Sequence, residues 1–530
     1  MSNHEQKGHF GLLPEYPSCR LGGNPGNHRF VPVASIHPEA PPANLPLPAH
    51  AVVHTAPIVP WSPRPAVSTI LFPPLSASLP EFGAIAPPPL LRLFLVSFMS
   101  DPYGWQHLRN MREDPNRFFR ALHGEQGDVA RFPLGTHTCW SFAHPQAVHQ
   151  ILVGDWRLFH KTTRFRQIHA RALGSGLLLV DGDEWVRQRQ QLQPIFGPGT
   201  PIPDSLPAHA GWKARLTRWA QQGQVDLDRE LREGWLEQLL WPLAGIDPAP
   251  WITPLRQIMH TLRQTLLNQL FQVLLPPRWW PFWGTRQERQ AVRAFRHITL
   301  EIWTQAAPGS LYHQLREPTG HGPQNAQRGL DQARMLLFNG YETMACGLTW
   351  SFWHLARHPK WQAQILAGTA PSPAPTSRAS PAHPSPIVSA CWHETLRLYP
   401  PAYLLSREAT AAVEVAGHRL SPGDQVFLFL PLLHRDPRWY QSADAFHPER
   451  FLPSANNCVA PAPFLPFGLG PRHCAGKSWA DTLAGRMLHT AVAQCELTLP
   501  PDTPDPTPCW GLSLAPRPPV PIRVAPRRAQ

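Results

Sequence analysis

Phe467-Gly-Leu-Gly470-Pro-Arg472-His-Cys474-Ala-Gly476 is the stretch on which the reading of this chain turns. It sets a cysteine in a loop punctuated by glycine, just ahead of sequence with helical character. A sulfur anion needs backbone N–H groups aimed at it, and a tight turn aims them only where glycine frees the backbone. Gly468, Gly470 and Gly476 supply such positions. A helix beginning after Cys474 adds its positive end, which favours thiolate over thiol. A lone buried cysteine would be inert, but it would need none of these surroundings. The string predicts Cys474 as a thiolate ligand.

Working outward, four further groups fall at helical or strand spacings. Glu394-Thr-Leu-Arg397 puts a carboxylate and a guanidinium on one helix face, and Pro448-Glu449-Arg450-Phe451 follows it. Trp185 and Arg189 stand one helical turn apart, behind Gly174-Ser-Gly-Leu-Leu-Leu-Val-Asp-Gly182. Asn339-Gly340-Tyr341-Glu342-Thr343 lies inside a long apolar helical segment, where a mid-helix threonine ordinarily bonds back to its own helix. Arg407 closes Leu404-Leu-Ser-Arg407.

Together these motifs resemble the cytochrome P450 family over roughly Asp101 to the C-terminus, with every position of its Phe-x-x-Gly-x-Arg-x-Cys-x-Gly loop matched. The resemblance implies a mainly α fold with minor β, a triangular helical haem domain with small sheets. It implies haem b held by Cys474, which favours O–O cleavage, with O2 as co-substrate. It makes Phe467, Gly470, Arg472 and Gly476 part of the haem loop, and Arg472, Trp185, Arg189 and Arg407 contacts to the haem propionates. Glu394, Arg397 and Arg450 become a buried structural network. Gly340 leaves room for O2, Thr343 hydrogen-bonds it, and Glu342 feeds protons inward. Asn339 departs from the family, which has a small residue there, and so bears on which carbon is attacked.

Composition agrees with one large domain after a different beginning. Hydrophobic residues make up 42% of the chain, enough for a substantial core, but its 66 prolines crowd the first part. Residues 1–90 read as a Pro-rich, disordered extension, residues 91–530 as the haem domain, and Ala370–Pro386 as a surface loop. Helices are expected over Asp101–His123, Asp183–Phe196, Gln287–Ala307, Gly329–His358, Pro386–Tyr399 and Gly476–Cys495. Strands are expected within Asp128–Phe142, at Ala412–Val415 and at Gln425–Leu430.

The net charge of +12 comes without a tight basic block or a zinc-finger spacing, so it reads as a solvated surface rather than a nucleic-acid site. Eight cysteines without a framework imply a reducing compartment. No run is apolar enough to span a bilayer, so a cytoplasmic monomer is expected, with peripheral membrane contact through the Trp-rich Leu275–Trp283 segment. No electron-carrying domain is recognised, so a separate ferredoxin or flavodoxin with its reductase would donate electrons, docking near Arg472, His473 and Lys477. The substrate is expected to be a lipophilic small molecule in a pocket lined by Ala402, Leu404 and Leu405. Within the family the likeness is to bacterial hydroxylases of carotenoid ionone rings, with fatty-acid hydroxylases as the alternative. A thiolate-haem isomerase or a haem-based sensor is the alternative outside monooxygenation; neither has use for Thr343 and Glu342.

Overall fold

The computed structural model describes residues 101, 103–197, 202, 206–272, 284–316, 323–368, 385–452 and 463–527. The extension of residues 1–90, the segment Leu275–Trp283 and nearly all of the 370–386 tract lie outside these residues.

Where one helix is expected over Asp101–His123 there are two, α1 (Trp105–Glu113) and α2 (Pro115–Gln126). The break falls at Asp114, whose backbone is extended and whose carboxylate accepts from the Arg117 N–H, with Pro115 opening α2. Strands β1 (Val129–Leu134) and β2 (His137–Phe142) then pair antiparallel about Gly135 (φ +60°). Further strands are β3 (Phe159–His160), β4 (Gln224–Asp226), β5 (Leu404–Ala409), β6 (Val413–Val415), β7 (His418–Leu420), β8 (Gln425–Phe429), β9 (Cys495–Thr498), β10 (Pro508–Trp510), β11 (Leu514–Pro516) and β12 (Pro521–Pro526). The largest sheet runs β1-β2-β8-β5-β3, parallel only between β2 and β8; the others have two or three strands.

The remaining long helices are α3 (Thr163–Leu173), α4 (Gly182–Phe196), α5 (Leu206–Gln222), α6 (Leu227–Ala244), α7 (Ala249–Leu270), α8 (Arg286–Gln305), α9 (Pro323–Arg357), α10 (Pro359–Ala367), α11 (Pro386–Leu398) and α12 (Lys477–Gln494). Helix α8 starts at a capping box in which the Thr285 hydroxyl accepts from the Glu288 N–H and the Glu288 carboxylate accepts from the Thr285 N–H. Helices α6 and α7 carry internal prolines, Pro242 and Pro254. Burial of Leu231, Trp235, Leu239, Leu262 and Leu266 holds them despite the lost backbone bonds.

Helix α9 is the axis of the molecule, with α3, α6, α8, α11 and α12 packed around it. From residue 329 to 356 every residue is buried except Leu336, Asn339, Gly340 and Thr343. These four fall at i, i+3, i+4 and i+7, which is one helix face. A single accessible stripe on a helix packed on all sides faces a space inside the fold. Trp212, Trp219, Trp235, Trp350, Trp361 and Trp392 are fully buried, so much of the unusual tryptophan content is core. Among the described residues no helix is long and apolar enough to cross a membrane.

Candidate functional site

The cysteine loop closes on itself where the Cys474 N–H donates to the Phe467 carbonyl (2.8 Å). Gly468 and Gly470 have φ of +73° and +72°. At Gly470 an added Cβ would lie 2.1 Å from the Leu152 carbonyl oxygen, so only glycine fits. Gly476 departs from expectation. Its φ is −82°, no atom lies within 4 Å of where a Cβ would be, and its place is the N-cap of α12. The Cys474 side chain has solvent-accessible surface although protein encloses it on every side, so the sulfur faces an internal space. Burial pushes its thiol up, while the Gly476 backbone N–H and Arg189 draw it down.

A knot of positive charge gathers around Asp181. Arg472 pairs with it (2.9 Å), donates to the Phe159 carbonyl, and lies over the rings of Trp156 and Trp185 (5.1 and 5.8 Å). Lys161 donates to the Val180 and Leu177 carbonyls (2.6 and 3.2 Å) and stands 3.8 Å from Asp181. Arg166 is also 3.8 Å from that carboxylate. Arg407 donates to the Ser406 carbonyl (2.8 Å) and, among the described residues, pairs with no carboxylate. Burial, partly offset by Asp181, pushes Lys161 down to about 7. Burial and then Arg472 push Arg407 down to about 10.

Three cations thus share one carboxylate, with Arg407 unpaired beside them, and Arg472 Nε and Arg166 Nε are buried without a hydrogen-bond partner. Buried positive charge in such excess calls for a further anion. The two propionates of haem b suit it. Arg189 does not join this group. It donates to the His473 carbonyl (3.1 Å) and reaches His473 Nε2 (3.0 Å), so it braces the cysteine loop while Trp185 stays beside Arg472. Lys161 and Asp181 were not singled out from sequence. The N-cap position of Asp181, ahead of Gly182, was the signal available.

On α9 the Thr343 hydroxyl donates to the Asn339 carbonyl (2.6 Å), the back-bond expected of a mid-helix threonine. Its proton is therefore committed, and toward the internal space its oxygen is an acceptor. Glu342, expected to feed protons inward, is tied to two arginines. Its carboxylate is buried and held by Arg232 (2.7 Å) and Arg263 (2.9 Å). Burial raises its pKa, but the two guanidiniums outweigh that and leave it below the ordinary carboxylate range. Gly340 lies on the accessible stripe of the same helix. A Cβ there would meet Leu239 of α6 at 3.4 Å, and its carbonyl accepts from Trp235 Nε1 (2.7 Å).

Glu394, Arg397 and Arg450 meet in one network. Arg397 donates twice to Glu394 (2.7 Å each) and to the carbonyls of His434, Ala443 and Ala445, while Arg450 Nε and the His447 N–H reach Glu394 Oε1. Glu394 and Arg397 are fully buried.

The expected pocket lining does not form one surface. Leu404 and Leu405 are neighbours on β5 and point to opposite faces of the sheet. Leu404 packs toward Phe119 and Phe429, Leu405 toward Val426 and Leu428, and Ala402 is exposed. The expected docking patch is also corrected: the Arg472 side chain is 5% exposed and turned inward, and Lys477 is paired with Asp481 (2.8 Å).

A family model described as Cytochrome P450 matches residues 102–213 and 330–524. Cytochrome P450 714A2 of Arabidopsis thaliana is 32% identical over 446 residues, covering 76% of this chain and 82% of that protein. Cyclooctatin synthase of Streptomyces melanosporofaciens is 27% identical, covering 80% and 92%. Pentalenene oxygenase of Streptomyces avermitilis is 27% identical, covering 76% and 90%. Among solved structures, a zebrafish cytochrome P450 with abiraterone superposes with a TM-score of 0.65 at 19% identity, covering 78% of this chain and all of that one. A six-coordinated cytochrome P450 from Thermus thermophilus gives 0.60 at 24% identity, covering 76% and 96%. With the loop, the cation knot and the central helix in place, the matched segments leave one assignment: this chain belongs to the cytochrome P450 family.

Proposed function

We propose that this monooxygenase inserts one oxygen atom into a cyclic hydrocarbon framework of the terpenoid class, the ionone ring of a carotenoid being one candidate. Relatives named for oxygenating pentalenene and for forming cyclooctatin support the class. The single structural observation that carries the reading is the stripe Leu336, Asn339, Gly340 and Thr343, one face of an otherwise buried helix opened to an internal space.

When bound, haem supplies the iron at which O2 is activated and an oxygen atom is delivered to carbon. The reaction consumes RH, O2, two electrons and two protons and yields ROH and water; the electrons come from a separate protein, of ferredoxin or flavodoxin type in this reading. Cys474 would hold the iron, its charge favoured by the loop N–H groups and the start of α12. Arg472, Arg407 and Lys161 would hold the propionates, and the indole of Trp185 covers Arg472. Thr343 offers an acceptor oxygen to an O–H on the stripe side. Glu342 fixes Arg232 and Arg263 against α9.

The test supplies reductant, ferredoxin, ferredoxin reductase and a panel of cyclic terpenoids and fatty acids under heavy-isotope oxygen. One labelled oxygen in a terpenoid product is expected, together with the red-shifted carbon monoxide band of a thiolate. Turnover of fatty acids alone would overturn the substrate class. Survival of that band in Cys474→His would overturn the ligand.

A further inference from the structure

The accessible stripe of α9 is apolar at Leu336, bare at Gly340, and polar at Asn339 and Thr343. The two polar residues are not equally engaged. Thr343 has committed its one proton to the Asn339 carbonyl at 2.6 Å. Asn339 donates from Nδ2 to the Met335 carbonyl at 2.9 Å. A carbonyl only accepts, so the nitrogen end of the amide must face Met335. That leaves Oδ1 and the second N–H of Asn339 without a partner among the described residues, on a residue that is partly accessible from the internal space. One free acceptor and one free donor on a single amide complement a hydroxyl group, which also both donates and accepts. A hydrocarbon alone would leave both unpaired.

We propose that Asn339 is a specificity-determining residue that binds a hydroxyl already present on the substrate. The preferred substrate is then an alcohol rather than the bare hydrocarbon. This rests on the reading of the stripe as the substrate face. In reaction order, an earlier oxygenation or hydration must supply the alcohol, and this enzyme adds a second oxygen at a distance set by the span from Asn339 to the reacting carbon. Thr343, with its proton committed, stays free to accept from an O–H other than the substrate's own.

The experiment titrates the ferric holoenzyme with matched pairs, a cyclic terpenoid hydrocarbon and its alcohol, and dodecane and 1-dodecanol. It reads the spectral shift that reports loss of water from iron. The wild type is expected to bind the alcohol of a pair on the order of 10-fold to 100-fold tighter than the hydrocarbon, the equivalent of hydrogen-bonding groups otherwise left unpaired. Asn339→Leu, of similar size and apolar, should erase that ratio by weakening the alcohol while leaving the hydrocarbon unchanged or tighter. Asn339→Ala should erase it as well, and an intact carbon monoxide band shows that each variant retains its haem site. Equal affinities within every pair, or a ratio that survives both substitutions, overturns the assignment of Asn339. Discrimination confined to the dodecane pair would uphold Asn339 and overturn the terpenoid reading instead.

Discussion

Glu394→Gln isolates the charge of one buried carboxylate while keeping its shape. In the native chain Arg397 is fully buried and directs two charge-assisted bonds to Glu394 and three to backbone carbonyls. Arg450, 7% exposed, leans on the same carboxylate at 3.2 Å. Removing the negative charge leaves two enclosed guanidiniums facing an amide, which can still accept a hydrogen bond but cannot neutralise either. Breaking a buried pair in this way costs about 3–5 kcal/mol. The three carbonyls go on solvating Arg397, so the lower end, about 3 kcal/mol, is expected. Against a total stability of about 5–15 kcal/mol, the fold survives with about a fifth to three fifths of its margin lost. Unfolding in urea, followed by loss of the carbon monoxide band, should show the transition displaced well below that of the wild type. Arg397→Lys should fall in the same range, because an ammonium cannot span the five acceptors. A Glu394→Gln variant within about 1 kcal/mol of wild type, the size of one ordinary hydrogen bond, would refute the reasoning.

Thr343→Ala should keep the haem spectrum yet lower product formed per reductant consumed by on the order of 10–100-fold, through loss of one positioned oxygen; an unchanged ratio makes Thr343 packing only. Glu342, held below the ordinary range by Arg232 and Arg263, contributes stability that is present above its unfolded value of about 4.3 and lost as pH falls through the lower folded value. Glu342→Gln should therefore flatten the acid limb of a stability–pH curve, and an unaltered limb would count against the pairing. Lys161 has linkage of the same sign in a higher window, being pushed down to about 7 from an unfolded value of about 10.4, so the haem-free chain gains stability as pH rises between those values. Propionates beside it should raise it again, so haem binding near pH 8 should take up protons, read by calorimetry in buffers of different ionisation heat. Identical uptake in Lys161→Met would remove Lys161 from the propionate site.

What could be read from sequence was what lies close along the chain. Glu394 and Arg397 are three residues apart, and Cys474 sits seven residues from the carbonyl its own N–H meets, so a local string specifies each. The partners that decide what Glu342 can do are 110 and 79 residues away, at Arg232 and Arg263. No spacing rule carries them, and a glutamate beside a threonine therefore reads as an acid until its arginines are seen. Lys161 and Asp181 escaped for a related reason, since neither residue type is unusual alone and their meaning comes from Arg407 and Arg472 closing around them. Helices α6 and α7 were missed because Pro242 and Pro254 break the local signal while distant burial keeps the helices whole. The pairing of Leu404 with Leu405 failed on strand alternation, which only the sheet register reveals. Asn339 is the informative case between these extremes. Its departure from the family was visible in sequence, but whether it crowds the site or binds a ligand depends on which amide atom is left over. The Met335 carbonyl, one turn back on the same helix, takes the nitrogen and leaves the oxygen free, and the proposed hydroxyl contact rests on that. A residue's identity thus sets which bonds it can make, and its function follows from those that the surrounding fold has not already used.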